Sequence, residues 1–118
     1  MTEPHSLLPS FPAPNMINVI AVITAKPGQR KAVLEAFRAN RANVLAEDGC
    51  IEYDAAVDVD PVLGFQAPFG PDTFVVIEKW RDLDALKAHA RAPHMAAYAA
   101  QTRDLVASRA IHVLSPAA

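Results

Sequence analysis

The sequence predicts one α+β domain in which strands and helices follow the order β-α-β-β-α-β. Three observations indicate this order: a β-branched apolar run at 17–25, two further strand-like runs at 50–59 and 73–80, and helical periodicity after the first and third of these runs. A short apolar run at 110–114 supplies the fourth strand. This is the order of the ferredoxin-like sandwich, in which one antiparallel sheet packs against helices.

The first predicted strand, INVIAVITA, has two alternating sets of side chains that are both mainly apolar. We therefore expect both faces of this strand to be covered. A turn at 26–28 precedes a helix that runs to about residue 46. The inner face of that helix is expected to carry Val33, Phe37, Asn40 and Val44.

The second strand is expected to run from Cys50 to Val59, with apolar and mainly acidic side chains alternating. Its apolar face would hold Ile51, Tyr53, Ala55, Val57 and Val59. A loop at 60–72 follows, with three prolines, two glycines and several apolar side chains. A connection of this length is often functional, and the alternative is a loop packed onto its own domain.

The third strand, Thr73 to Trp80, is expected to place Phe74, Val76, Glu78 and Trp80 on one face. A helix starts near Asp82, and its apolar stripe would consist of Leu83, Leu86 and Ala90. Pro93 ends this helix and is well placed to begin the next one. The inner face of that last helix is expected to include Met95, Tyr98, Ala99, Thr102, Leu105 and Val106.

Composition excludes some classes of partner. The formal net charge is −2 and no run of Lys or Arg occurs, so we expect no nucleic-acid binding. No apolar run reaches the roughly 18–20 residues of a membrane-spanning helix, so membrane insertion is not expected. Residues 1–15 contain four prolines and no Lys or Arg. We interpret them as an arm before a domain at 16–118, and we expect a cytoplasmic location because signal-peptide features are missing.

The usual cofactor motifs are missing from the sequence. Its four glycines are too scattered for a dinucleotide or phosphate-binding loop, so no NAD, flavin or ATP is expected. His89 and His94 are five residues apart and straddle Pro93, so they do not form the one-turn pair of a helical metal motif. Cys50 has no evident base partner for covalent catalysis. We expect neither a metal site nor a cofactor.

The most specific pattern is the strand end Glu78-Lys79-Trp80 followed by His-x4-His-Met at 89–95. It accompanies Lys26-Pro27-Gly28-Gln29, Glu47-Asp48-Gly49-Cys50 and Gly64-Phe65-Gln66. With these motifs in order, the sequence from Met16 to Pro116 resembles the antibiotic-biosynthesis-monooxygenase family, in particular its bacterial quinol monooxygenase branch. The arm at 1–15 lies outside the resemblance.

The resemblance implies a homodimer in which two such domains form an α/β barrel. It also implies oxidation of a quinol-like or polyphenolic aromatic by O₂ without metal, flavin or haem. Haem-degrading members of the family carry a tryptophan where this chain has His89, which argues against haem. Two alternatives stay open, because fold does not fix reaction. One is a non-enzymatic stress-response dimer that binds a small aromatic, and the other is a cofactor-free isomerase.

His89 and Glu78 are the candidate catalytic residues. His89 lies three residues after Leu86 on the predicted apolar stripe and is expected to point toward the sheet. A neutral imidazole is the best available proton acceptor near neutral pH, and the alternative is a structural histidine bonded to a backbone carbonyl. Glu78 is expected to orient a histidine or to take a proton, and the alternative is a salt bridge at a sheet edge.

Six further residues are candidates for substrate binding: Trp80, Tyr53, Phe65, Asn18, His94 and Tyr98. The aromatic members are expected to wall a slot for a ring, and the alternative for them is plain core. Asn18 is polar on an otherwise apolar strand and is expected to hydrogen-bond a substrate oxygen, unless it faces water at the barrel rim. His94 lies in the first turn of the last helix, where capping or solvent exposure is the alternative role.

Overall fold

The computed structural model describes residues 15–118, which form four strands and three helices. In chain order these are β1 (Ile17–Ala25), α1 (Arg30–Leu45), β2 (Cys50–Ala56), β3 (Thr73–Trp80), α2 (Leu83–Ala90), α3 (Pro93–Thr102) and β4 (Val106–Leu114). The predicted arm lies outside the described residues, except for Asn15. No helix within residues 15–118 has the length and apolar character needed to cross a membrane.

All four strands form one antiparallel sheet with the order β2-β3-β1-β4. This arrangement confirms the predicted α+β, ferredoxin-like fold. Along β1 the buried side chains Val19, Ala21, Ile23 and Ala25 alternate with half-buried ones. The helices therefore cover one face of the sheet, and the core lies between that face and the helices.

Aromatic side chains fill the centre of this core. Trp80 and Phe74 of β3 are completely buried. Phe37 of α1 stacks on Tyr53 of β2 with ring centroids 5.0 Å apart, and it meets Phe74 edge-on at 6.2 Å. These contacts fix α1 against β2 and β3, because offset and edge-to-face aromatic pairs add to the free energy gained from burial alone.

The second face of the sheet is also apolar, as the pattern of β1 predicts. Ile20 and Val22 of β1 lie opposite Ile77 and Val75 of β3, and all four side chains are half-buried. The helices of the described residues pack against the other face, so these side chains keep part of their surface free. We refer to the surface formed by Ile20, Val22, Val75 and Ile77 as the open face.

Strands β2 and β4 differ from their predicted extents. β2 ends at Ala56, and a bulge between Cys50 and Glu52 leaves Ile51 half exposed, so the predicted uninterrupted apolar face is wrong. β4 begins at Val106, four residues earlier than predicted, because Val106 pairs with Ala25. Val106 therefore belongs to a strand and not to the inner face of the last helix, which ends at Thr102.

The inward side of α2 also differs from the prediction. Leu83 is 44% exposed, whereas Ala85 and His89 are buried. The Asp82 side chain caps the helix by accepting a hydrogen bond from the Ala85 backbone N–H at 2.8 Å, which makes Leu83 the first helical residue. The buried stripe therefore runs through Ala85 and His89, which are one turn apart.

Gly49, in the turn before β2, lies close to helix α2. Gly49 has a φ of +87°, and a Cβ added there would lie 2.6 Å from the Cβ of Ala85. Its carbonyl accepts a hydrogen bond from the Arg81 backbone N–H at 2.8 Å, and the Arg81 side chain makes two bonds of 3.0 Å to Asp48. This close approach holds the turn before β2 against α2.

Candidate active site

A cavity of about 370 Å³ lies between the helix-covered face of the sheet and helices α2 and α3. This volume falls within the range of roughly 300–1,000 Å³ that is usual for small-molecule sites. Most of its lining is apolar, including Val19, Ala21, Ile23, Val76, Leu86 and Met95. Five side chains with polar groups also line it, namely Tyr53, Glu78, His89, Tyr98 and Arg109. An apolar cavity with a few polar groups suits an aromatic ligand that carries hydroxyl groups.

His89 is the buried imidazole of this cavity, with 6% of its surface exposed. Its Nδ1 lies 2.9 Å from Oε2 of Glu47, which follows α1 in the turn before β2. A carboxylate only accepts hydrogen bonds, so this partner places the proton of the neutral ring on Nδ1. Nε2 is then the nitrogen that is able to accept a proton.

Two aromatic rings fix the orientation of the His89 ring. The Trp80 ring lies 4.6 Å from it between centroids, and the Tyr53 ring meets it edge-on at 5.6 Å. Trp80 is fully buried and does not line the cavity. Trp80 therefore packs against His89 on the side away from the cavity, whereas Tyr53 lines the cavity itself.

Glu78 is the second buried ionisable group in the cavity, with 7% exposure. Its Oε1 accepts a hydrogen bond of 2.9 Å from the indole Nε1 of Trp80. Burial raises the pKa of the Glu78 carboxyl, and the Trp80 hydrogen bond and the nearby His89 oppose part of that rise. The carboxyl thus keeps its proton to a higher pH than an exposed glutamate does.

His94 contacts the other side of Glu47. Its Nε2 lies 2.9 Å from the same Oε2 atom, but out of line for a hydrogen bond, and neither ring nitrogen has a hydrogen-bond partner among the described residues. His94 lies beside Asn40 and Asn43 in a groove between α1 and α3 and does not line the cavity. Glu47 therefore contacts both His94, outside the cavity, and His89, at its wall.

The two tyrosines both line the cavity. Burial raises the pKa of the Tyr53 phenol far above its ordinary value, and burial also raises the pKa of the Tyr98 phenol. Both side chains are therefore neutral hydroxyl groups at physiological pH. Neutral phenols are able to donate a hydrogen bond to a ligand oxygen and to accept one.

The structure brings together only part of the predicted site. His89, Glu78, Tyr53 and Tyr98 line one cavity. Asn18 lies on the side of β1 that faces away from the helices, opposite Lys79 and Leu114. Phe65 is 88% exposed on the long loop. Neither Asn18 nor Phe65 lines the cavity in a single chain.

Two residues of the site were missed at the level of sequence. Glu47 belongs to the Glu47-Asp48-Gly49-Cys50 motif, but its contact with His89 joins residues 42 positions apart, so spacing gave no signal. Arg109 lines the cavity from β4, and the predicted strand began one residue after it. Within the described residues, no three His, Cys, Asp or Glu side chains are grouped so as to hold a metal ion.

Residues 16–101 match the family model described as "Antibiotic biosynthesis monooxygenase". The chain belongs to this family. It is 40% identical over 103 residues to "Probable quinol monooxygenase YgiN" of Escherichia coli strain K12, and the match covers 86% of this chain and 98% of that protein. The family assignment confirms the predicted resemblance and identifies a monooxygenase-type enzyme.

Solved structures show the same fold. The crystal structure of PA3566 from Pseudomonas aeruginosa is 31% identical with a TM-score of 0.73, and the match covers 88% of this chain and 96% of that one. The structure of Rv0793 from Mycobacterium tuberculosis is 30% identical with a TM-score of 0.71, covering 87% of this chain and 96% of that one. The antibiotic biosynthesis monooxygenase (ABM) fold thus extends over nearly all of the described residues.

Proposed function

We propose that this ABM protein oxidises a quinol-like or polyphenolic aromatic with O₂ and without a resident metal or organic cofactor. The observation that carries the proposal is the buried His89–Glu47 pair at the wall of an apolar cavity. A base in such a cavity removes a phenolic proton and leaves an electron-rich phenolate that is able to reduce O₂. The quinol monooxygenase named among the relatives supports the same substrate class.

In this mechanism His89 accepts the proton of one quinol hydroxyl at Nε2, and Glu47 stabilises the resulting imidazolium through Nδ1. The phenolate transfers its electrons to O₂, and a C–O bond forms at the adjacent ring carbon. His89 returns the proton to the peroxide. The hydrogen on the same ring carbon then leaves as a proton while the O–O bond breaks, which forms a C=O group and releases hydroxide that leaves as water. Quinol plus O₂ thus gives hydroxyquinone plus water, with one oxygen atom retained on the ring.

The remaining polar groups position the ring in this proposal. The Glu78 carboxyl accepts a hydrogen bond from a substrate hydroxyl, and its protonated form, which burial favours, donates one to a substrate oxygen. Tyr53 and Tyr98 offer neutral hydroxyl groups along the same cavity. Apolar walls exclude water, which strengthens each of these hydrogen bonds.

A buried imidazole with a carboxylate partner favours an enzyme over a protein that only binds its ligand. A binding site needs no proton acceptor, whereas burial of such a pair has a desolvation cost that a catalytic role explains. The same pair suits a cofactor-free isomerase, which also moves protons. Uptake of O₂ separates the two, because an isomerase consumes none.

The decisive experiment is O₂ uptake by the wild-type protein with a panel of chemically reduced quinols, followed by mass analysis of the product formed from isotopically labelled O₂. One labelled oxygen atom in the product is expected. His89→Gln should lower turnover by about 10²-fold or more, the usual loss for a general base, with a similar melting temperature. Lys87→Gln, at an exposed position of the same helix, is the control outside the cavity. Full activity of His89→Gln, or no uptake by the wild type, contradicts the proposal.

The proposal includes a homodimer in which two open faces meet to form an α/β barrel. The open face is apolar, and no helix of residues 15–118 packs on it. Further apolar side chains are exposed on the loop after β2: Val57, Val59, Val62, Leu63, Phe65 and Phe69. At one margin of this face Lys79 lies beside Glu52, so both signs of charge are present for a two-fold pairing of identical surfaces. Such an interface should bury roughly 2,000 Å² or more in total.

A further inference from the structure

Glu47 is a nearly buried carboxylate that lies between two imidazoles. Its side chain is 15% exposed, and within residues 15–118 the hydrogen-bond and ion-pair partners of its carboxylate are His89 and His94 alone. Both imidazoles approach the same atom, Oε2, each at 2.9 Å. A buried carboxylate depends on such neighbours in place of the water it has lost, so a change in one imidazole alters the interaction with the other.

The contact with His94 indicates where that ring carries its hydrogen. A carboxylate oxygen only accepts hydrogen bonds, and a bare ring nitrogen would bring two lone pairs to within 2.9 Å of each other. Nε2 of His94 therefore carries the hydrogen, and the positive end of the N–H dipole lies near Oε2 although the bond is out of line. The ring nitrogens of His94 are buried, so little water screens this interaction.

Among the described residues, His94 faces no charged group other than Glu47, with His89 beyond it. The groove that holds His94 is lined by uncharged side chains of α1 and α3: Ala36, Ala39, Asn40, Asn43, Ala97, Tyr98 and Gln101. Glu47 also borders a second groove with Asp48, Arg81 and Asp84, where Arg81 pairs with Asp48. Its charge also reaches three groups of the core, namely Cys50, Tyr53 and Glu78.

Two N–H groups that share one carboxylate oxygen weaken each other. When His89 gains a proton, its bond to Oε2 becomes a charge-assisted one. The His94 dipole already withdraws electron density from that oxygen, so the carboxylate stabilises an imidazolium at His89 less than it would without His94. His94 thus opposes protonation of His89 before a substrate arrives.

We propose that His94 is a positioning residue which acts through Glu47 and keeps His89 unprotonated, and so able to accept a proton, to lower pH. The proposal rests on the proposed function for the role of His89 as the base. It gives the groove between α1 and α3 a part in the reaction, although no substrate atom reaches it.

Nitrogen NMR of the full chain with isotope-labelled histidine tests this without any oxidation. It reports the tautomer of each ring and the pH at which the ring is half protonated, and single His→Gln variants assign the signals. In the neutral wild type, His89 should carry hydrogen on Nδ1 and His94 on Nε2. A neutral His94 with its hydrogen on Nδ1 overturns the proposal, and this measurement needs no variant at position 94.

Variants of His94 test the effect on His89. His94→Leu should raise the pH at which His89 is half protonated by about half a pH unit or more, as loss of one competing donor predicts. His94→Gln offers an amide N–H at a similar reach and should return most of that shift. Gln101→Leu, at an exposed position of the same groove, is the matched control and should cause none. No shift in His94→Leu, or an equal shift in His94→Gln, overturns the proposal.

A double variant tests the route of the effect. In a Glu47→Gln background, His94→Leu should no longer change the protonation of His89, because the carboxylate that joins the two rings is gone. An equal shift in both backgrounds overturns action through Glu47.

Activity separates this proposal from the oxygenase proposal. The acid limb of kcat/KM for a quinol should move to higher pH in His94→Leu by the amount that NMR measures. A wild type that consumes no O₂ with any quinol, while His94→Leu still shifts His89, overturns the oxygenase proposal alone. Normal O₂ uptake with an unshifted His89 in His94→Leu overturns the role of His94 alone.

Discussion

Glu47 contacts two imidazoles with one carboxylate oxygen, but only the His89 contact is aligned as a hydrogen bond. Glu47 does not line the cavity, so any effect on catalysis passes through His89. It is therefore a positioning residue. Its carboxylate fixes which nitrogen of His89 carries the proton and stabilises the charge that the ring gains during turnover.

We expect Glu47→Gln to lower kcat by about tenfold with little change in KM, because a neutral amide stabilises an imidazolium less than a carboxylate does. In a His89→Gln background the same change should have almost no further effect, since the two residues act as a unit. Kinetics of the wild type, both single variants and the double variant measure this. Equal losses from Glu47→Gln in both backgrounds would show that Glu47 acts independently of His89.

Glu78 connects the cavity to the pH dependence of stability. Burial raises its pKa above the ordinary value of 4.5, so between the two values the folded chain holds a proton that the unfolded chain releases. Its contribution to the free energy of unfolding is complete below about pH 4.5 and is lost as the pH rises through the raised pKa. Ionised Glu78 thus destabilises the fold at higher pH.

Glu78→Gln removes this titration and keeps an oxygen to accept the Trp80 indole hydrogen bond. We expect the difference in melting temperature, variant minus wild type, to be larger at pH 8 than at pH 5. Glu35→Gln, on the exposed side of α1, removes the same charge without burial and should give the same difference at both pH values. Thermal melts at both pH values measure these differences in melting temperature between variant and wild type. A difference for Glu78→Gln that stays constant or falls as the pH rises contradicts a raised Glu78 pKa.

At the scale of elements, the contact between Gly49 and Ala85 sets the distance between the β2 turn and α2. Gly49→Ala should reduce the free energy of unfolding by about 2–5 kcal/mol, the sum of a left-handed backbone penalty and steric overpacking. Gly28→Ala is the matched control, since Gly28 has a φ of +80° but nothing within 4 Å of an added Cβ. It should lose only the backbone penalty, about 1–2 kcal/mol. Denaturant unfolding curves of both variants measure these losses in the free energy of unfolding. Equal losses would show that the steric contact with Ala85 does not destabilise Gly49→Ala.

The sequence predicted strand identity better than strand limits. Alternation on β1 and β3 is regular, so the faces of both strands were predicted correctly. On β2 the bulge between Cys50 and Glu52 interrupts the alternation, and no local residue pattern predicts this bulge. β4 extends back to Val106 because β1 offers a pairing partner there, which is a tertiary effect that local propensity does not contain.

The sequence located side chains of the cavity where the pattern of a single helix or strand was enough; their roles stay predictions. His89 and Glu78 were chosen because the spacing on one helix and one strand turned them inward, and the structure places both in the cavity. Glu47 and Arg109 required knowledge of which distant segments meet. Asn18 lies on the same side of the sheet as the open face, and Phe65 lies on the exposed loop. Only a second copy, as in the proposed dimer, would bring other groups to them.

For the whole molecule, the open face predicts the oligomeric state. Ile20→Asp places a charge at the centre of the proposed dimer interface and should shift the protein from dimer to monomer, or prevent folding. Leu83→Asp is the control, because Leu83 is exposed at the start of α2, where an acidic residue is tolerated. Sedimentation velocity over a range of concentrations measures both variants. A wild type that sediments as a stable folded monomer at low concentration rules out the barrel.

Strand β1 supplies the floor of the cavity with Val19, Ala21 and Ile23, and the open face with Ile20 and Val22. Alternate residues of this nine-residue strand therefore belong to the two surfaces, one on each side of the sheet. A single inserted or deleted residue in the middle of this strand would exchange part of one set for the other, while an insertion in the loop at 57–72 would leave both in place. Lineages that diverge in substrate are therefore expected to vary in length at that loop and to keep the length of β1 constant.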